Sequence, residues 1–83
     1  MTNAEKVAAE VARVCDGTVI DIQPDVRSLR DGVVLVRRPR PYDPYVCWRY
    51  VILAGDDAAL YAGRYVATLG EALADFMARA VSK

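Results

Sequence analysis

The segment YVCWRYVILA, residues 45–54, decides the fold of this 83-residue chain. Nine of its ten residues are hydrophobic, and Arg49 is the only charged one. A strand with one solvated face alternates apolar and polar residues, whereas a run that is apolar on both faces is typical of a central strand. Successive side chains of a strand point to opposite faces. Trp48 and Tyr50 are therefore predicted to share one face, and Arg49 to project from the other.

Three further strands are predicted around this central one. They are TVIDI at residues 18–22, VVLVRR at 33–38 and LYAGRYVA at 60–67, chosen for β-branched and aromatic content. Gly63 predicts a bulge or a close approach of another group, and Asp31-Gly32 predicts a turn. The links between successive strands are too short for crossover helices, so the sheet is predicted to be antiparallel.

A helix is predicted at each end of the chain. Both begin with the pattern of a capping box, Thr2 with Glu5 and Thr68 with Glu71. The first covers residues 3–15, and Gly17 is predicted to close it in the left-handed conformation. The second has an amphipathic pattern from Leu69 to Val81.

These elements predict one α+β domain over residues 1–83. Its architecture is an antiparallel three- to four-stranded sheet with an N-terminal and a C-terminal helix, in the order α-β-β-β-β-α and packed as a two-layer sandwich. The length allows a single core. A chain this short buries only about 60% of the surface that its unfolded form exposes, so its stability should be modest.

The composition argues against the common kinds of enzyme. The chain has no histidine, which excludes serine–histidine and cysteine–histidine nucleophiles, and it has no glycine-rich phosphate loop. Cys15 and Cys47 are 32 residues apart without metal-site spacing, so they are predicted to be free thiols. We expect a protein that is not an enzyme and that uses no cofactor or metal.

Charge and hydropathy limit the partners. Eleven basic and eleven acidic residues give zero net charge, but residues 27–49 carry a local excess of four positive charges. No apolar run has the length of a transmembrane helix, and the N-terminus does not have the pattern of a secretory signal. The sequence therefore predicts a cytoplasmic protein without a membrane partner. Nucleic acid is a less favoured partner, because dedicated binders carry a clear positive excess.

The stretch RRPRPYDPYVCWRY, residues 37–50, has three competing interpretations. It is a strand of the core with solubilising arginines, a nucleic-acid surface of stacking tyrosines and phosphate-binding arginines, or a protein-binding surface. Tyrosine, tryptophan and arginine dominate interface energetics, and prolines stiffen a loop before it binds. We favour protein binding for the loop, residues 37–45, and the core for the strand beyond it. The predicted contact residues are Arg37, Arg38, Arg40, Tyr42, Tyr45 and Arg49.

A second candidate surface is acidic. Four carboxylates could together contact a basic groove of a partner, namely Asp56, Asp57, Glu71 and Asp75. The competing interpretation is a solvated turn and a solvated helix face. The oligomeric state stays open between monomer and homodimer.

The segment YAGRYVATLGEALADFMAR, residues 61–79, resembles a pattern found in small proteins of phages and plasmids. It comprises an aromatic strand, a Thr–Leu–x–Glu cap and an Ala–Leu–x–x–Phe helix that ends in arginine. Among such proteins, the chain is similar in size and split charge to the anti-CRISPR inhibitors, which bind the protein surface of a CRISPR effector complex. The resemblance implies an inhibitor that blocks nucleic-acid access to a bacterial defence complex. Anti-CRISPR proteins share no motif, so it assigns no residue a role. The alternative function is a small nucleic-acid-binding or regulatory domain that uses the Arg/Tyr loop.

Overall fold

The computed structural model describes residues 2–55 and 57–81. The predicted α-β-β-β-β-α order is confirmed. The elements are α1 (Asn3–Cys15), β1 (Thr18–Pro24), β2 (Asp31–Arg37), β3 (Tyr45–Ile52), β4 (Ala58–Val66) and α2 (Leu69–Val81). The four strands form one antiparallel sheet in the order β1-β2-β3-β4, so β1 and β4 are its edges.

The two helices lie on opposite faces of the sheet, so the two-layer packing predicted from the sequence is wrong. Val7, Val11 and Cys15 of α1 pack in one core cluster with Trp48 and Tyr50. A second cluster brings Ala72 and Phe76 of α2 against Val33, Leu35 and Cys47. The reason lies in β2 and β3, whose apolar residues face both ways and therefore need a helix on each side. The result is three layers, with the sheet in the middle.

The helix ends explain where each helix stops and starts. Thr2 Oγ1 accepts the amide proton of Glu5, and Glu5 Oε1 accepts that of Thr2, so the first capping box is confirmed. The left-handed residue at the end of α1 is Asp16, with φ 57°, and not Gly17 as predicted. Gly17 is required for space instead, since a Cβ there would lie 2.7 Å from Val36 Cγ1.

The start of α2 matches its prediction in part. Glu71 N donates to Thr68 Oγ1 at 3.2 Å, as a capping box requires. The reciprocal bond differs, because the Thr68 hydroxyl and not its backbone amide donates to Glu71 Oε1, at 3.0 Å.

Aromatic residues of β3 pack over glycines of the neighbouring strands. Asp31-Gly32 begins β2 and does not form the predicted turn. The glycine has a packing role instead: it lies beneath the ring of Tyr50, where a Cβ would be 2.5 Å from Tyr50 Oη. The predicted irregularity at Gly63 is confirmed: the pairing of β3 with β4 shifts opposite Trp48. A Cβ on Gly63 would lie 2.7 Å from Trp48 Cδ1.

Candidate functional site

The Arg–Pro–Tyr loop, residues 37–45, connects β2 to β3 at one end of the sheet. Tyr42 is 83% exposed at its tip, and the next residue, Asp43, has a φ of 46°. Arg37 and Arg40 are exposed as well. The guanidinium of Arg40 donates to Pro39 O, and Arg37 has no ion pair within residues 2–55 and 57–81. The loop therefore presents two cations and one aromatic ring to solvent.

Arg38 has a different position from its neighbours. Its backbone N donates to Pro44 O at 2.6 Å, and its Nη2 donates to Asp43 O at 2.7 Å. The guanidinium lies over the Tyr65 ring, 4.4 Å from the centroid, and Tyr65 in turn makes an edge contact with Trp48 at 6.0 Å. Arg38 thus ties the two ends of the loop together and fixes them to the sheet.

Beside the loop, the end of α1 and the start of β1 form the far wall of an open cleft. Its volume is about 470 Å³, and its lining includes the guanidinium-bearing Arg37, Arg38 and Arg40. Asp16 and Thr18 form the opposite wall.

Tyr45 is only half-exposed, because it packs against the cluster beneath α2. Of the six predicted contact residues, Arg37, Arg38 and Arg40 line this cleft. Tyr42 is exposed on the same loop, and Tyr45 is turned partly inward.

Arg49 lies on the α2 face of the sheet, opposite to Trp48 and Tyr50, as predicted. It contributes to a second cavity, of about 600 Å³, beyond the C-terminal end of α2. The floor of this cavity is one row of side chains across all four strands: Gln23 pairs with Val33, Val33 with Arg49, and Arg49 with Tyr61. We call it the Arg49 trough.

The predicted acidic surface is dispersed. Asp56 lies outside the described residues, and Asp57 is exposed at the turn between β3 and β4. Glu71 is part of the α2 cap. Asp75 faces inward, with Arg79 Nε 2.9 Å from its Oδ2 and Arg64 Nη1 3.6 Å from its Oδ1. Within the described part of the chain, these carboxylates do not share one exposed surface.

The two thiols are free and buried, as predicted. Burial, together with a smaller contribution from the nearby Asp75 carboxylate, raises the pKa of the Cys47 thiol to about 11. The Cys47 Sγ–H donates to Ala72 O at 3.2 Å. A thiol that stays protonated is a poor nucleophile, and Cys47 packs at 1% exposure in the cluster beneath α2.

Burial also raises the pKa of the Tyr50 phenol, and the Asp31 carboxylate adds to the effect. Within residues 2–55 and 57–81, no three His, Cys, Asp or Glu side chains are grouped to hold a metal ion. None of the described helices combines the length and hydropathy that crossing a bilayer requires.

Sequence reasoning missed two features of these sites. Tyr65 was part of a predicted strand, but its contact with Arg38 depends on the pairing of β3 with β4. The partners of Arg49 in the trough depend on the register of all four strands, which hydrophobic patterns do not specify to the residue. Comparison with known proteins found no matching family model, curated protein or solved structure.

Proposed function

We propose that the protein is a non-enzymatic, cytoplasmic protein-binding module whose Arg–Pro–Tyr loop contacts an acidic surface of a partner protein. The observation that carries this proposal is the exposure of Tyr42, 83%, at the tip of a loop that Arg38 holds in place. A solvent-exposed tyrosine on an ordered loop contributes nothing to the core. It is available for contact with another molecule.

The loop has the rigidity that favours binding. Arg38 closes it through two hydrogen bonds and a cation–π contact, and three of its residues are prolines, at positions 39, 41 and 44. A loop that is ordered before binding loses less conformational entropy when a partner docks. The contact therefore requires little rearrangement of this chain.

The exposed chemistry favours carboxylates on the partner. Arg37 and Arg40 carry planar guanidinium groups, which form bidentate hydrogen bonds with carboxylates better than lysine does. Tyr42 supplies a large ring with a polar tip, a residue type enriched among the energetically dominant contacts of interfaces. An acidic surface with an apolar recess for one ring is the complementary partner.

The test is co-purification from a bacterial lysate with three forms of the protein. The double variant Arg40→Ala/Tyr42→Ala removes the exposed contacts and leaves the Arg38 brace intact, whereas Arg30→Ala removes an exposed arginine outside the loop. We expect a partner that wild type and Arg30→Ala both retain and that the double variant loses. Equal recovery of every partner by all three forms would refute the assignment of the loop.

A more specific form of the proposal is an anti-CRISPR-type inhibitor that occupies the nucleic-acid entrance of a bacterial defence complex. It is supported by the resemblance of residues 61–79 to small phage and plasmid proteins. The assay is target cleavage by purified CRISPR effector complexes in the presence of this protein. Dose-dependent inhibition that Arg40→Ala/Tyr42→Ala abolishes is the expected result, and unaffected cleavage across effector types would remove this form of the proposal.

Nucleic-acid binding is the second candidate, favoured by the three arginines around the cleft of about 470 Å³. Gel-shift titration at two salt concentrations separates it from protein binding. Phosphate contacts release counterions, so tight binding that weakens steeply with salt would favour this candidate. The absence of a shift at low salt would remove it. Light scattering across a concentration series distinguishes monomer from homodimer.

A further inference from the structure

The Arg49 trough is a second binding site candidate, separate from the loop. Its volume of about 600 Å³ is within the range of small-ligand pockets. The cross-strand row Gln23–Val33–Arg49–Tyr61 forms its floor. The last turn of α2 and the residues that follow β1 form its sides. Gly32 and Arg37 lie about 16 Å apart along β2, so the trough and the loop are at opposite ends of the strands.

The trough exists because α2 covers only part of the sheet. α2 packs on the central strands through Ala72 and Phe76, and its final residues, Ala80 and Val81, lie at the edge of the cavity. Val33 lies beneath α2 and is buried, whereas Arg49 beside it is half-buried and Tyr61 is exposed. Arg49 and Tyr61 are thus open to a ligand while their strands stay fixed by the sheet.

Three arginines line the trough, and within the described residues Arg49 is the half-buried one that lacks a partner, whereas Arg27 is exposed to solvent. The Arg49 side chain is half-buried at the centre of the sheet. In the described part of the chain it makes no ion pair and no side-chain hydrogen bond. Arg79, which also lines the trough, is already engaged, because its Nη1 donates to Ala62 O at 2.6 Å and its Nε lies against Asp75. A partly desolvated guanidinium without a partner is costly and binds a suitable anion strongly.

The other lining residues define the rest of the ligand. Val26 and Val81 offer exposed apolar contacts, and the Tyr61 side chain is adjacent to Arg49 in the row. Two carboxylates, Asp25 and Asp31, also line the trough. Their charge repels a doubly charged phosphate more than a singly charged carboxylate.

We propose that the Arg49 trough binds a small monocarboxylate with an apolar body, the carboxylate on the Arg49 guanidinium and the apolar part against Tyr61, Val26 and Val81. This proposal does not depend on the partner-binding role of the loop. A chain that fails to bind a protein partner can still bind this ligand, and the reverse is also possible.

The experiment uses three probes that separate the contribution of the charge from that of the apolar ring. Phenylacetate carries a carboxylate on an apolar ring, phenylacetamide is its neutral counterpart, and inorganic phosphate is an anion without the ring. Each is titrated into the full-length protein, and amide shifts of Val33, Arg49 and Tyr61 are followed by two-dimensional NMR. Because a charge-assisted bidentate pair contributes more than a neutral hydrogen bond, we expect phenylacetate to bind at least about tenfold more tightly than phenylacetamide.

Variants locate the site. Arg49→Gln keeps a polar, though shorter, side chain and removes the charge, so phenylacetate affinity should fall at least about tenfold while phenylacetamide affinity is unchanged. Arg30→Gln removes an exposed arginine that does not line the trough and should have no effect. If Arg49→Gln fails to fold, Arg49→Lys retains the charge but loses the planar fork, and an intermediate affinity is expected.

Three results would overturn the proposal. Phenylacetate could leave the three amide signals unchanged up to the solubility limit of the protein and probe. Phosphate could bind as tightly as phenylacetate, which would indicate attraction of any anion. Arg49→Gln and Arg30→Gln could weaken phenylacetate binding equally, which would indicate a nonspecific charge effect.

Discussion

Replacing Gly63 with alanine is expected to lower the free energy of unfolding by about 2–3 kcal/mol, although the change adds a single methyl group. The added Cβ would lie 2.7 Å from Trp48 Cδ1 and closer still to Trp48 Nε1. Gly63 does not have a positive φ, so the penalty arises from space and not from backbone strain. Trp48 is 5% exposed in the α1-side core and has no room to withdraw.

The displacement should also reach the loop. Trp48 contacts Tyr65, and Tyr65 supports Arg38, which holds the loop closed. An 83-residue domain has a total stability of about 4–12 kcal/mol, so the expected loss is a large fraction of it. The loss would be visible in any cooperative unfolding curve.

Trp48 is the only tryptophan, so its fluorescence reports both the local packing and global unfolding in urea. Gly70→Ala is the matched control: a Cβ at Gly70 meets nothing within 4 Å, and the change should stabilise α2 by up to about 1 kcal/mol. If Gly63→Ala shows wild-type fluorescence and a stability within about 0.5 kcal/mol of wild type, the packing argument for the bulge fails.

Three further predictions concern the charged and titratable groups. The Cys47 thiol has a pKa of about 11 in the folded protein against 9.0 in the unfolded chain. Its contribution to stability is therefore complete below pH 9 and is lost as the pH rises towards 11. Urea unfolding at pH 9 and pH 11 should show a larger drop in the free energy of unfolding for wild type than for Cys47→Ala. Asp75→Asn removes the carboxylate beside Arg79, so we expect the free energy of unfolding to fall by about 1–2 kcal/mol and the Cys47 pKa, measured by thiol-reactivity titration, to fall as well. The control is Arg64→Ala, because Arg64 is an exposed partner of Asp75 at 3.6 Å. It should change stability by less than about 0.5 kcal/mol. Arg38→Ala removes the hydrogen bond and the cation–π contact that hold the loop, so proteolysis within residues 39–44 should accelerate and the free energy of unfolding should fall by about 1–2 kcal/mol. Equal proteolysis of wild type and variant would show that the loop is ordered by other means.

The sequence predicted those features that depend on short patterns. The run at 45–54 identified the central strand, and the Thr2 cap located α1 to the residue. The same run also contained the evidence for three layers, since a strand that is apolar on both faces requires cover on both. The error at Asp31-Gly32 has a similar origin, because that pair is a turn signal by local chemistry, and only the cross-strand ring of Tyr50 explains the glycine.

The candidate sites were less predictable because they depend on contacts between distant residues. The sequence gives no reason to treat the loop arginines differently. In the structure, however, the Arg38 guanidinium lies over the Tyr65 ring of β4, whereas Arg40 remains exposed. The four side chains of the trough floor come from four strands. A shift of one residue in any pairing would send one of them to the other face.

Arg38 and Arg49 provide a contrast that tests whether the trough has a function. Arg38 has partners, so its removal should destabilise the fold, whereas Arg49 is half-buried and has no partner among residues 2–55 and 57–81. A β-branched apolar residue suits the middle of a central strand better than an unpaired cation does. We therefore expect Arg49→Val to raise the free energy of unfolding by about 0.5–1 kcal/mol while abolishing phenylacetate binding. Such a result would mean that the arginine lowers stability and contributes binding. A clear loss of stability in urea unfolding of Arg49→Val would instead give Arg49 a structural role and weaken the case for the site.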